Sequence, residues 1–491
     1  MAASGSPTTE QGAGHGDLIE NRTFDEIAVG DSAGVTRTLT KANIELFAVM
    51  SGDVNPAHLD EQYARSDIFH RIVAHGMWSG ALLSTVLGTK LPGPGTIYLG
   101  QELRFQRPVG IGDTITVTVT VREKRPEHKI LILDCRCTNQ TGEAVITGTA
   151  EVIAPTEKIR RPRIDLPEIR LRHHDRYRQL IARARALEPV PTAFVHPCDA
   201  TALQAAVEAA HEGLIVPVLV GPEAKIQAAA EAAALDISPY RLVPAPHSHA
   251  AAAEAVRLAR SGTVEALMKG SLHTDELMHE VMDTASGLRT ARRISHVYVM
   301  DVPGYPRPIM ITDAAINIAP SLEDKRHICR NAIDLAHVLG LAEPKLAVLS
   351  AVETITPKIV STVEAAALCK MAQRGQITGG VIDGPLAFDN AVSEDAVRAK
   401  GIVSLVAGRA DILLVPDLEA GNMLAKQLTF LAGADAAGIV LGARVPIILT
   451  SPADDLRTRL ASCAVAVLVA HARRQGGPAA AITAAASAAA A

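Results

Sequence analysis

DTITVTVTVREK, residues 113–124, alternates strictly: Ile115, Val117, Val119 and Val121 fall on one face, and Thr114, Thr116, Thr118 and Thr120 on the other. A period of two is that of a strand with one face in a core and one toward water. Working outward, runs at 97–107, 129–138 and 144–153 share strand character and are joined by the turn-prone RPEH and NQTG, which predicts an antiparallel meander. Ahead of it, Gly76 to Lys90 reads as a helix that is apolar on nearly every side, and such a helix must be covered on most faces. A sheet wrapped around that helix is the simplest way to cover it.

Further out, the chain changes character twice. Residues 156–188 carry ten Lys or Arg and the interrupting Pro162 and Pro167, which reads as a solvated basic linker. Beyond 190, short apolar runs such as TAFVH, EALMKG, SHVYVMDV and VPIILT alternate with Ala-rich helical stretches, the βαβ pattern of a mostly parallel α/β sheet. Expected bounds are a tail at 1–16, a first domain at 17–155, the linker at 156–188, a second domain at 189–475, and an Ala-rich tail at 476–491.

Composition narrows the class of function. With 491 residues and 48% hydrophobic content, the chain needs more than one core. A net charge of -5 and a pI near 6.4 gather neither nucleic acid nor anionic lipid. No CxxC pair or zinc-finger spacing relates the six cysteines, so a reducing, cytoplasmic setting without structural zinc is expected. No signal-peptide pattern and no run long enough for a membrane span is seen.

The first candidate site is Ser51-Gly52-Asp53-Val54-Asn55-Pro56-Ala57-His58. Five residues of regular helix would splay Asp53 from His58, whereas a bend at Asn55-Pro56 lets them converge. An acid and a base together can activate water and shuttle its proton. His75-Gly76-Met77 then opens the helix, where free backbone N–H groups can hold a developing thioester enolate.

This run, GD-x-NP-x-H followed by AHGM, closely resembles the MaoC-like (R)-specific enoyl-CoA hydratases over roughly 18–154. The resemblance implies an α+β hot-dog fold, with Asp53 and His58 adding water to a trans-2-enoyl-CoA, Ser79 orienting the pair, Asn55 shaping the turn, and the Gly76 N–H facing the thioester oxygen. His75 is expected to be a structural residue at the helix start. Met77, Trp78, Leu82, Leu103 and Phe105 are expected to wall the acyl pocket. Hot-dog proteins also include thioesterases, which is the competing reading. The resemblance further implies a homo-oligomer.

From about 190 to 472 the chain resembles the phosphate acetyl/butyryltransferases, most specifically in ISHVYVMDVPGYPRPIMITDAAINIAP, GGVIDGPLAFDNAV and PDLEAGNMLAKQL. That implies an α/β unit of two subdomains, exchanging acyl groups between CoA and phosphate without metal or bound cofactor. The expected partners are acyl-CoA, CoA and phosphate or acyl phosphate. Lys269, Arg289 and Lys426 are the candidate cations, Asn317 and Asn422 candidate donors, and Ser451 a phosphate contact. Asp313 and Asp383 at strand ends read equally well as caps.

One departure stands out: the family's Ser-Arg pair is here Ser451-Pro452, and proline offers neither charge nor N–H. Arg457 or Arg459 would have to reach back, and Asp454 or Asp455 to serve as the base. The sequence therefore predicts a hydratase joined to an acyltransferase whose second activity is impaired. The alternatives are a non-catalytic, acyl-CoA-binding or oligomerising C-terminal domain and, against the absence of GxGxxG after a strand or of a clustered metal set, an oxidoreductase.

Overall fold

The computed structural model describes residues 18–167, 169, 171, 175–451 and 453–476. The chain forms two compact units, Met1–His173 and His174–Ala491. The predicted tail at 1–16, all but the first residue of the predicted tail at 476–491, and Pro452 lie outside the described residues.

In the first unit, five antiparallel strands stand in the order Ser32–Thr38, Thr114–Arg125, Ile130–Thr138, Ala144–Ile153, Ile97–Phe105. The alternation has the expected physical outcome. Ile115, Val117, Val119 and Val121 are no more than 1% exposed. On the opposite face Thr114 and Thr116 pair with Thr38 and Thr36 across the strands, Oγ1 to Oγ1 at 2.9 and 3.1 Å. The helix Gly76–Thr89 lays Leu83, Val86 and Leu87 on the buried valines.

This is the helix-and-sheet arrangement of a hot-dog domain, with one correction. The sheet covers one side of the helix only, so Met77, Ala81 and Thr85 remain exposed. The Ser32–Thr38 strand was not foreseen, because SAGVTRT is half-exposed throughout and its alternation is weak. Gly148 faces Leu103 across the ladder, where an added Cβ would sit 1.9 Å from the Glu102 carbonyl oxygen. Gly148→Ala is therefore expected to cost roughly 3 kcal/mol or more, since the obstacle is backbone, and thermal unfolding should show it as a lowered Tm.

The basic stretch is not a plain linker. Arg160–Pro162 pairs antiparallel with Leu18–Glu20 and closes the first unit, while Asp175–Arg185 is a helix of the second. That helix buries Ile181 and Ala184 in the same apolar cluster as the C-terminal helix Leu456–Arg474. Arg178 and Arg185 are exposed, whereas Arg176 pairs with Asp301 and Arg183 donates to the Leu339 oxygen, so a charge count alone does not show that this amphipathic helix packs. The expected boundaries at 155 and 189 move accordingly to 173/174.

The second unit is built on an eleven-stranded sheet. Arg241–Pro244, Ile215–Gly221, Val190–Val195, Ala266–Lys269 and Ile447–Ile448 run parallel as one block. Ile309–Thr312, Ile412–Leu414, Lys345–Leu349 and Val381–Leu386 form a second parallel block. Between them Asp435–Leu441 and Ser295–Asp301 pair antiparallel. The two expected subdomains are thus two parallel blocks meeting at this seam. None of the described helices is long and apolar enough to cross a membrane.

Candidate functional sites

In the first unit, the helix Lys41–Ser51 ends on Gly52 in the left-handed conformation, at φ 75°, which turns the chain toward Asp53. Asn55 caps the short helix Pro56–Leu59 by accepting from the Ala57 N–H at 3.1 Å, so it shapes the turn as expected. Asp53 and His58 do converge. Their side-chain donor atoms and those of His75 all lie within 4.8 Å of one another.

Backbone carbonyls fix both imidazoles. His58 Nδ1 lies 2.8 Å from the Val73 oxygen, and a carbonyl can only accept, so the proton is on Nδ1 and the Nε2 lone pair is free to act as a base. His75 Nε2 lies 3.0 Å from the Asp53 carbonyl oxygen. By the same reasoning His75 Nε2 donates, and the His75 side chain pins the backbone at Asp53. It gives no side-chain cap to the helix it precedes, and its ring lies against that of His58, with centroids 4.0 Å apart and planes tilted by 38°. The structural role expected for His75 is therefore exercised on the site.

A cavity of about 350 Å³ is lined by His58, His75, Gly76, Ser79 and Phe105, among others. It brings Ser79 and Gly76 together with His58, while Asp53 stays exposed. Of the expected pocket walls only Phe105 lines it. Trp78 packs into the core, with Leu82 and Leu103 partly buried against it, and Met77 faces outward, because the helix turns those side chains toward or away from the sheet. No spacing in the sequence marked a metal set, yet the fold collects Asp53, His58 and His75, donor types that zinc accepts.

In the second unit a cavity of about 770 Å³ gathers both blocks around the seam. Lys269 ends one strand, Leu449, Thr450 and Ser451 follow another, Ala315 follows a third, and Asn422 comes from the helix Leu418–Phe430. Crevices at the carboxyl ends of strands, where connectivity reverses, are where open α/β sheets place ligands. Lys269 donates from Nζ to the Leu272 oxygen at 3.0 Å. Burial pushes its ammonium below the usual lysine range, and the Arg459 charge adds to that.

Arg459 is the residue that reaches back. It is 5% exposed and donates from Nη2 to the Ser451 oxygen at 3.0 Å, from Nη1 to Thr450 Oγ1 at 3.2 Å and from Nε to the Asp454 oxygen at 3.3 Å. Arg457, two residues earlier, faces Asp435 at 3.3 Å and the Tyr177 ring instead. Asp454 accepts from the Ser451 N–H at 2.7 Å, and burial raises its carboxyl above the ordinary range. Asp455 is spent as the cap of Leu456–Arg474.

The other candidates divide. Asn422 and Ser451 line the cavity. Asn317 does not: its Nδ2 donates to the Ile294 oxygen and to Asp313, and its Oδ1 accepts from Arg293, so its amide is used up in a buried network. Asp313 organises the same loop through the N–H groups of Ala315, Ile316 and Asn317. Arg289 and Lys426 are exposed and are not among the lining residues, and Asp383 accepts from the neighbouring Gly384 N–H. Residues the sequence reading passed over are His296 and Tyr298 of the seam strand, and Ser271, which donates to Asp199. The alternation in SHVYVMD, which puts His296 and Tyr298 on one face, was the available signal.

Comparison with known proteins gives one family match in each of the two units. The sequence pattern "Phosphate acetyl/butaryl transferase" matches residues 248–467, and "MaoC like domain" matches residues 28–133. A phosphate acetyltransferase of Rhizobium meliloti is 67% identical over 299 residues, covering 61% of this chain and 95% of that protein. The crystal structure of a branched-chain phosphotransacylase from Enterococcus faecalis is 30% identical with a TM-score of 0.52, over 57% of this chain and 99% of that one. An R-hydratase from Pseudomonas aeruginosa is 44% identical over 32% of this chain and 99% of its own, with a TM-score of 0.31.

Proposed function

This chain belongs to the phosphate acetyl/butaryl transferase family, and from that premise we propose that it is a two-site acyl-CoA enzyme. The second unit exchanges an acyl group between CoA and phosphate. The first, a MaoC-like domain, reversibly hydrates trans-2-enoyl-CoA to 3-hydroxyacyl-CoA. For the transferase, the carrying observation is the convergence of Lys269 and Arg459 in one cavity. Two like charges share that space, and a bound phosphate would offset the repulsion between them. Arg459 also supplies a guanidinium beside the Ser451 backbone, so the transferase reading does not depend on an arginine directly after Ser451.

For the hydratase, the carrying observation is the tautomer of His58, which leaves Nε2 as the base. His58 Nε2 and the Asp53 carboxylate would share the water; its oxygen adds to C3 of the enoyl group and a proton is delivered to C2. The Gly76 N–H would hold the thioester oxygen as negative charge develops there. Purified full-length protein should hydrate crotonyl-CoA, read as loss of enoyl-thioester absorbance, and should release CoA from acetyl- or butyryl-CoA only when phosphate is added. Release of CoA from crotonyl-CoA without phosphate would instead indicate a thioesterase.

Both sites are read as working with substrates alone, without metal or bound cofactor. Treatment with EDTA is accordingly expected to leave hydration within about twofold of the untreated rate, where a zinc-dependent site would lose it. Transfer should also carry an alkaline limb set by Lys269. The ammonium form holds phosphate, its pKa lies below that of a free lysine, and the charge is lost as pH rises through it. A pH profile of kcat/KM for phosphate should therefore fall below the ordinary lysine range, and Lys269→Arg should move that fall upward.

The exposed apolar side chains around the central helix, among them Met77, Ile97, Leu99 and Phe105, suit contact with a second copy, to be read by light scattering. All six cysteines are free, which fits a reducing cytoplasmic setting.

A further inference from the structure

His296 stands on the seam strand Ser295–Asp301, and alternation gives the two faces of that strand different surroundings. Ser295 Oγ accepts from Asn331 Nδ2 at 2.8 Å, and Val297 joins the large apolar cluster on that side. His296 and Tyr298 turn the other way and line the 770 Å³ cavity with Lys269 and Arg459. Their rings meet edge to face with centroids 4.4 Å apart. Gly438 lies opposite Tyr298, and a Cβ there would come within 3.0 Å of His296 Nε2 and 3.3 Å of Tyr298 Cε1, so the missing side chain makes room for this pair.

The imidazole is 1% exposed and neither of its nitrogens has a hydrogen-bond partner. Among the described residues it is the one histidine in that condition on both nitrogens. Burial lowers its pKa to about 3, which keeps the ring neutral at any working pH and makes it a poor base. A neutral imidazole still carries one N–H donor. Lys269 and Arg459 already offer charge to phosphate, and His296 adds to the same cavity a neutral ring whose nitrogens have no other partner.

We propose that His296 is a catalytic residue of the transferase whose ring N–H binds the carbonyl oxygen of the acyl group. The proposal rests on the transferase reading above. An oxygen of hydrogen phosphate attacks the thioester carbon, and the carbonyl electron pair moves onto the oxygen held by His296. When that pair returns, the C–S bond breaks, and the sulfur leaves with the proton that hydrogen phosphate carried. The products are acyl phosphate and CoA. Both nitrogens are buried, so the contact requires the imidazole to turn about its Cβ–Cγ bond against Tyr298.

The test uses the full chain, with His296→Leu, which removes the donor, and His296→Gln, which keeps an N–H of similar reach. Phosphate-dependent CoA release by His296→Leu should show kcat lowered roughly 10²-fold, the effect of deleting one oxyanion donor, with KM for acetyl-CoA and for phosphate within about threefold. His296→Gln should recover at least about tenfold of that loss. A kcat within about threefold of wild type in His296→Leu, or a rise in KM alone, overturns the proposal.

A second measurement does not depend on turnover or on the folding of a variant. In ¹⁵N-histidine-labelled wild type, the imidazole resonances absent from His296→Gln should report a neutral ring and should move when acetyl-CoA is added. They should stay in place with inorganic phosphate alone. Resonances unmoved by acetyl-CoA, or moved equally by phosphate, overturn the assignment. Absence of CoA release by wild type would count against the transferase reading, while the resonances would still decide whether His296 meets the acyl group.

Discussion

Asp53→Asn and His58→Ala should each lower the rate of crotonyl-CoA hydration by about 10³-fold, within the range for removing a positioned acid or base. Phosphate-dependent CoA release should stay within about twofold of wild type in both variants. Asp53 is exposed and His58 only partly buried, so neither change leaves a cavity or an unpaired charge in the core. His58→Ala removes the lone pair whose direction the Val73 carbonyl sets at 2.8 Å, and Asp53→Asn removes the negative charge while keeping the side-chain shape. His75 provides the graded case. Its substitution by Phe frees the Asp53 carbonyl but leaves both reacting groups in place, so a smaller loss than either is expected, seen in the same absorbance assay.

Arg459→Leu should have the converse effect, lowering phosphate-dependent transfer by about 10²- to 10³-fold and leaving hydration near wild type. Three hydrogen bonds and almost complete burial fix this guanidinium in the cavity that holds Lys269. Arg459→Lys keeps the charge and loses the fork, so it should fall between the two. Arg457→Leu is the control, because its partners Asp435 and Tyr177 line a different cavity of about 340 Å³. Circular dichroism should accompany Arg459→Leu, since the Thr450 hydroxyl and the Ser451 carbonyl lose a donor there. Equal losses in Arg457→Leu and Arg459→Leu would remove the basis for assigning the phosphate contact to Arg459.

How much of this could be read beforehand depended on whether the signal was periodic. Alternation in residues 113–124 and the apolar run from Gly76 specify the first fold because each places its buried face without reference to the rest of the chain. Asp53 and His58 were legible for a similar reason: the Asn55-Pro56 turn that brings them together is local. Contacts made over long separations were not legible. Asn317 looked like a free donor because nothing nearby in sequence showed that Ile294 and Arg293 would occupy its amide. Arg459 was one of two equal choices until the pitch of Leu456–Arg474 turned it, and not Arg457, toward Ser451. His296 sat in a quoted motif whose alternation exposes it to one face, but its orphaned nitrogens are a property of packing. The basic stretch at 156–188 misled because a charge count ignores which face the charges occupy.

The central claim is that one chain carries two chemically independent acyl-CoA sites. The most direct measurement assays wild type, Asp53→Asn and Arg459→Leu in parallel for crotonyl-CoA hydration and for phosphate-dependent CoA release, each from a single preparation of full-length protein. Wild type is expected to perform both, Asp53→Asn to lose only hydration, and Arg459→Leu to lose only transfer. If both activities fall together in either variant with the fold retained, or if wild type lacks one of them, the two-site account is contradicted.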